Sequence, residues 1–281
     1  MRPTALILGA GLAGLSTAVH LANKGIEITI LEKRPFAGGR TYSFSREFWP
    51  YGIDNGPHVM LGCYKALLGL LDIVGGRNRL NPQSRLLVPY VLPGSVRAVL
   101  AANALPPPLH LLSGLMRFSL LGWREKMSLA KIFFKIRFMS EEDSFDHHTA
   151  YEWLSGRHQG GKTMEIFWRP LVLATLNEQP ENVSFLQLFR VFKLGILGGR
   201  DESRLILIPD GLTSTLIEPA LDWLARNGGR IEQNCRIECI KWAEDEDKII
   251  VQTNHGGYDG YDVVVSALPF RNLRLLTLDS G

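Results

Sequence analysis

The sequence predicts an α/β fold, with a parallel-sheet domain built from both ends of the chain and a mostly helical domain inserted between them. Three observations carry that prediction. First, the apolar run Thr4-Ala5-Leu6-Ile7-Leu8 leads through a glycine-rich hexapeptide into a helical pattern and a second apolar run. That order, strand–turn–helix–strand, opens a parallel unit. Second, the composition changes at about Leu86, where an apolar, basic, acid-poor stretch begins and helical periodicities follow. Third, strand and turn patterns return after residue 205. A chain of 281 residues is long enough to divide this way and still bury two cores.

The elements read in order as follows. Residues 4–8 form a buried strand, and Leu15–Lys24 a helix with Leu15, Ala18, Val19 and Ala22 on one face, ended by Gly25. Ile26–Leu31 is the second strand. Residues 35–62 read as loop, because Pro35, Gly38, Gly39, Gly52, Gly56 and Pro57 punctuate them. Between Leu86 and Met139 the only carboxylate is Glu125, and Pro106-Pro107-Pro108 breaks the stretch. Ser128–Met139 sets Lys131, Lys135 and Arg137 among Ile, Phe and Met. That pattern suits a core helix with snorkelling cations or an amphipathic helix seated on a membrane. Helical patterns follow near 148–156, 162–176 and 184–194. Pro209-Asp210-Gly211 is a turn, Leu212–Asn227 a helix, and Arg230–Ile240, Lys248–Thr253 and Tyr261–Ser266 are strands, the last two joined by His255-Gly256-Gly257.

Composition excludes several classes. A hydrophobic fraction of 46% and a net charge of +3 exclude a disordered chain. With 31 basic residues against 28 acidic there is little field to hold phosphodiesters, so no nucleic-acid partner is expected. Cys63, Cys235 and Cys239 form no CxxC pair, which argues against a disulfide framework and a zinc site. His147-His148 lacks a third ligand at useful spacing, so no metal is expected. Met1-Arg2-Pro3 runs directly into a strand pattern rather than an apolar leader, and Leu105–Leu121 is interrupted by three prolines, His110 and Arg117. A cytoplasmic location is expected, with a peripheral contact at the inner face of the membrane as its alternative.

Chemistry concentrates in Gly9-Ala10-Gly11-Leu12-Ala13-Gly14. A lone GxGxxG is a weak signal. Here it follows a strand, opens a helix and is succeeded by Glu32 at the end of the next strand, the context of a Rossmann-like dinucleotide site. Gly9 permits the tight turn, Gly11 lets a pyrophosphate approach backbone N–H groups, and Gly14 lets helix and strand pack closely. The helix N-terminus favours the phosphates, and Glu32 suits two ribose hydroxyls. A carboxylate there disfavours a 2′-phosphate, leaving NAD and FAD. Glu32-Lys33-Arg34 is followed by Gly38-Gly39-Arg40, a second close backbone approach with a guanidinium to balance charge.

GxGxxG, the acid and GGR, in this register, resemble the FAD-dependent amine oxidase and phytoene desaturase superfamily. The resemblance implies FAD, held by an FAD-binding domain of parallel sheet plus β-meander over 1–85 and 205–281, with a mostly helical substrate domain over 86–204. It implies that Asp54-Asn55-Gly56-Pro57-His58 runs beside the flavin ring, so Asn55, Gly56, Pro57 and His58 join Gly9–Gly14, Glu32, Lys33 and Gly38–Arg40 as cofactor residues. It adds Ile237, through its backbone, for the adenine, and Ala267 in the returning strand 262–269. The segments Phe167–Asn177, Gly198-Gly199-Arg200 and Leu205–Pro209 look like the squalene-associated branch, the hydroxysqualene dehydroxylases of squalene and hopanoid synthesis. What this implies is reductive dehydroxylation of a hydrophobic polyprenoid. His58 is then the candidate acid for the departing hydroxyl, or a support for the flavin. Carotenoid desaturation and amine oxidation are the alternatives within enzymes. The family continues beyond the last segment matched here, so a missing C-terminal segment is expected, and with it the alternative of a non-catalytic FAD- or lipid-binding remnant.

Overall fold

The computed structural model describes residues 2–46, 49–56, 58–106, 108–243 and 248–277. Strand β1 (Thr4–Leu8) has its last four residues buried, as a strand covered on both faces requires. Helix α1 (Leu12–Ala22) turns Leu15, Ala18 and Val19 inward and begins at the glycine turn itself, earlier than its periodicity indicates. Gly25 then takes φ +84°, and β2 (Glu27–Leu31) runs parallel to β1 with Leu6 beside Thr29. The stretch read as loop holds a hairpin, β3 (Ser43–Arg46) against β4 (Trp49–Asp54), in antiparallel register. Pro50 and Gly52 hid it, since both residues ordinarily argue against a strand.

Then come β5 (Met60–Leu61), α2 (Lys65–Val74) and β6 (Asn81–Pro82). A second hairpin opens the stretch read as mostly helical. Its strands β7 (Leu87–Leu92) and β8 (Val96–Ala101) turn at Gly94, which has φ +79°. Helices α3 (Leu109–Arg117), α4 (Trp123–Phe138), α5 (Ala150–Ser155), α6 (Arg169–Leu176), α7 (Phe185–Val191) and α8 (Arg200–Ser203) follow. Thr149 and Glu152 form a reciprocal capping box on α5, and Ser184 caps α7. Strand β9 (Leu205–Leu207) pairs with β5, and α9 (Glu218–Arg226) leads into β10 (Arg230–Glu232), β11 (Ile237–Ala243), β12 (Lys248–Thr253), β13 (Gly256–Tyr258), β14 (Val263–Ser266) and α10 (Phe270–Thr277).

The chain divides into two compact units. One comprises Met1–His58, Ala66–Asn81 and Ile208–Gly281. Its parallel sheet has the order β10-β2-β1-β14, so strands from both ends of the chain share one sheet. The segment Arg230–Ile240 is two strands rather than one. Asn234 takes φ +56° and breaks it, sending β10 to the parallel sheet and β11 to the antiparallel meander β11-β12-β13. The His255-Gly256 turn returns β12 to β13, and the strand predicted at 261–266 pairs with β1 instead. Ala5, Ile7, Leu15, Val19, Leu71 and Leu216 centre the core on one face, and Leu6, Leu8, Leu31 and Val251 that on the other.

The second unit comprises Val59–Lys65 and Pro82–Leu207. Its core is aromatic: Phe133 meets Phe192 at 5.0 Å and Phe167 at 5.6 Å, and Trp153 stacks on Phe185 at 3.7 Å. Such pairs add about 0.5–1.5 kcal/mol each beyond the burial of their area. Trp168 is fully buried with its polar end satisfied, donating from Nε1 to Gln159 Oε1 at 3.1 Å.

Candidate cofactor site

The glycine-rich turn sits where β1 ends and α1 begins. Gly9 has φ +101°, and its N–H donates to Leu31 O at 2.8 Å, tying the turn to β2. A Cβ on Gly14 would lie 1.9 Å from Gly9 O, so this position admits only glycine without backbone movement. Gly11 differs. It caps α1 in extended geometry, no side chain caps the helix, and a Cβ there would meet nothing within 4 Å. No side chain caps this eleven-residue helix, and the side of Gly11 where a Cβ would stand is open, as a helix N-terminus that receives an anion requires. Ala10 is buried, Leu12 is half-buried and Ala13 is exposed.

Glu32 is 6% exposed and accepts two backbone hydrogen bonds, Ala10 N–H to Oε2 and Arg34 N–H to Oε1, both at 2.9 Å. The sequence reading assigns the carboxylate to ribose hydroxyls alone. In the fold it also fixes the glycine turn, and a carboxylate has lone pairs for both tasks. Gly38 N–H donates to Ala10 O at 2.7 Å, and a Cβ on Gly39 would lie 3.2 Å from Gly11 Cα. The second glycine pair is thus laid against the first. Arg34, which sequence reasoning did not single out, holds it there by donating from Nη1 to Gly39 O at 3.0 Å. Lys33 and Arg40 are solvent-exposed.

The later segments close on the same place. Cys235 N–H donates to Glu32 O at 2.9 Å and Asn234 N–H to Arg34 O at 3.2 Å, and Ile237 follows two residues after Cys235. The Ile237 side chain packs in the small cluster with Val251 and Tyr258. Ala267 donates its N–H to Leu8 O at 2.9 Å, and its Cβ lies 3.4 Å from where a Cβ on Gly14 would be.

Asn55 donates from Nδ2 to Arg40 O at 3.1 Å, and Gly56 takes φ +117°. Pro57 lies outside the described residues. His58 is exposed, with no hydrogen bond or ion pair to it among the described residues. Asp54 is not part of a loop. It ends β4, and its Oδ1 accepts from Ser43 Oγ at 2.6 Å and from Leu212 N–H at 2.9 Å. Thr213 joins through Oγ1, which accepts from Ser43 N–H at 2.7 Å. This polar knot was legible only as the turn at Pro209-Asp210-Gly211. Gly211 is required there, with φ +82° and a Cβ position 2.8 Å from Ser43 Oγ.

The donor set fits FAD. Open space beside Gly11, at a helix N-terminus no side chain caps, suits a pyrophosphate, buried Glu32 retains acceptor capacity for a ribose, and a second glycine pair flanks the opening.

Comparison with known proteins agrees. The sequence profile of the flavin-containing amine oxidoreductases matches residues 12–280. The chain is 26% identical over 280 residues to a 15-cis-phytoene desaturase of Arabidopsis thaliana, covering 98% of this chain and 49% of the relative. It is 27% identical over 285 residues to a hydroxysqualene dehydroxylase of Sinorhizobium fredii, covering 94% and 61%. A zeta-carotene desaturase of Zea mays is 47% identical over 74 residues, 26% of this chain and 13% of that one. The chain therefore spans about half to three-fifths of the two relatives matched along its length. Among solved structures, an oxidoreductase of Methanosarcina mazei superposes with a TM-score of 0.72 at 17% identity, covering 99% of this chain and 62% of its own. That likeness shows the fold.

Proposed function

We propose, since the chain belongs to the flavin-containing amine oxidoreductases and is an FAD-dependent oxidoreductase, that it acts on a long-chain polyprenoid and replaces the hydroxyl of hydroxysqualene by hydrogen. The observation that carries this reading is the match to a hydroxysqualene dehydroxylase along 94% of the chain. Bound FAD, once reduced, supplies hydride to carbon in such a replacement. The chain's own residues do the rest. The N-terminus of α1 at Gly11–Ala13, which no side chain caps, and the backbone of Gly38-Gly39 hold the pyrophosphate, with Arg40 balancing its charge. Glu32 holds the adenosine ribose and the Ile237 backbone faces the adenine. Ala267 closes the turn, and Asn55, Gly56 and His58 would border the flavin ring. His58 gives a proton to the departing hydroxyl, which leaves as water when the C–O bond breaks and a C–H bond forms.

The helical unit contributes less chemistry than its motif suggests. In Phe167-Trp168-Arg169, the two aromatics are core. Arg169 is bound to Glu165 at 3.1 Å and Glu181 at 2.7 Å. Asn177 ends α6 in a left-handed conformation with φ +54°. These residues maintain the unit and leave substrate choice to its remaining surface.

A second reading, desaturation of a carotenoid, is favoured by the 47% identity over 74 residues to zeta-carotene desaturase. The two differ in the direction of electron flow. The FAD-loaded chain, reduced with dithionite under argon and mixed with hydroxysqualene, is expected to regain its flavin absorbance as squalene forms. Bleaching of the oxidised protein by phytoene or zeta-carotene, with no squalene from hydroxysqualene, would reverse the order of the two readings.

A further inference from the structure

Helix α4 has two apolar faces. Leu129, Ile132, Phe133 and Ile136 are buried in the core. Trp123, Met127, Phe134 and Phe138, spaced i, i+4, i+11 and i+15, form a second stripe that faces out. Trp123 is 68% exposed and Phe138 77%. An exposed aromatic stripe of this length costs hydrophobic free energy in water and calls for a function.

Cations border the stripe. At its first turns α4 meets residues 157–158 around a cleft of about 360 Å³, lined by Trp123, Arg124, Met127, Ser128, Lys131 and Arg157 among others, and by no carboxylate. Among the described residues, Arg124, Lys131 and Arg157 form no ion pair, whereas Lys65, Arg169 and Arg190 each hold an acid. Arg157 is the best placed of the three. Its guanidinium lies 3.9 Å from the centre of the Trp153 ring and donates from Nη1 to Trp153 O at 2.9 Å. Its Nε is buried without a hydrogen-bond partner. Glu125, the acid of this helix, folds back to its N-terminus, with Oε2 2.6 Å from where a Cβ on Gly122 would be.

We propose that this face of α4 docks on an anionic membrane, with a lipid phosphate in the cleft against Arg124, Lys131 and Arg157, and with Trp123, Phe134 and Phe138 at the acyl boundary. Aromatic side chains seat at the interface between headgroups and hydrocarbon, and basic residues beside them select anionic lipid. Both signals are on one helix, and single signals of either kind bind only weakly. No helix among the described residues is long and apolar enough to cross a membrane. The surface is independent of whether the substrate is dehydroxylated or desaturated.

The test is flotation of the FAD-loaded full chain with phosphatidylcholine vesicles, with and without phosphatidylglycerol. Binding is expected only with phosphatidylglycerol, and is expected to weaken with added salt. Trp123→Ser combined with Phe138→Ser is expected to abolish flotation, and Arg124→Ala with Lys131→Ala to lower it about tenfold or more. All four side chains are exposed, so circular dichroism and flavin retention are expected to stay at wild-type values. Equal flotation of wild type and both variants overturns the proposal, as does absence of flotation in every mixture. A dimer that Trp123→Ser/Phe138→Ser converts to monomer, without vesicle binding by wild type, would assign the stripe to a second copy instead.

Discussion

The carbonyl oxygen of Gly9 occupies the place a Cβ on Gly14 would need, 1.9 Å away, while the same construction at Gly11 reaches open space. The two glycines of one motif therefore differ: packing requires Gly14, while Gly11 borders the open space proposed for the ligand. Gly14→Ala is expected to destabilise the FAD-free protein by about 1–3 kcal/mol, the range for overpacking a well-filled site. Gly11→Ala is expected to leave that stability within about 0.5 kcal/mol, since its φ of −72° suits alanine, yet to weaken FAD binding at least tenfold. Urea unfolding of stripped protein and a flavin fluorescence titration separate the two. A Gly11→Ala protein that binds FAD as wild type does would move the pyrophosphate elsewhere.

Glu32 supports the turn, besides the ribose role proposed for it. Glu32→Ala strands two N–H donors, the buried one of Ala10 and the part-buried one of Arg34. A loss of about 2 kcal/mol in the absence of any ligand is expected, the scale of unsatisfied buried donors. Glu32→Gln keeps one oxygen acceptor and is expected to fall between alanine and wild type. If Glu32→Ala unfolds at the wild-type urea concentration without FAD, the structural half of its role is wrong.

His58 is exposed and without a hydrogen bond among the described residues, so its replacement has little fold to disturb. His58→Gln is expected to keep FAD and to lose at least tenfold in turnover of hydroxysqualene, the low end of general acid contributions on the order of 10²–10⁴. Loss of flavin absorbance in desalted His58→Gln protein would instead make it a support for the cofactor.

His110 gives the helical unit a pH-sensitive core. It is fully buried, its Nδ1 has no partner, and its Nε2 lies 3.4 Å from Ser203 Oγ. Burial, and then the charge of Arg200, hold its imidazole below the ordinary histidine value. The unfolded chain thus takes up a proton near pH 6.5 and the native chain only at lower pH. Stability is complete above that value and declines as pH falls through the folded pKa. Thermal melts between neutral and mildly acid pH are expected to show a shallower decline for His110→Leu than for wild type. Parallel declines would remove His110 from the account.

Much of the cofactor unit could be read from residues 4–40, because local chemistry dictates it. An apolar run of strand length, three glycines at fixed offsets, a helix start and a buried acid each act within a few residues of one another. The aromatic and cationic composition of Ser128–Met139 was likewise legible, as were the helices over 148–194, whose caps at Thr149 and Ser184 are sequence-local.

What the tertiary structure decided is everything that depends on a partner far along the chain. Pairing of β10 with β2 and of β14 with β1 joins residues more than 200 positions apart, and no local pattern records which strand accepts which. The break at Asn234 divides one apparent strand between two sheets because each half finds a different neighbour. Ser43, Asp54, Leu212 and Thr213 become one hydrogen-bonded group only when β3, β4 and the turn at Gly211 meet. Helix α4 shows the division most simply. Its sequence indicated a basic helix, either core or membrane-seated, and long-range packing buried one apolar stripe and left Trp123 and Phe138 in water.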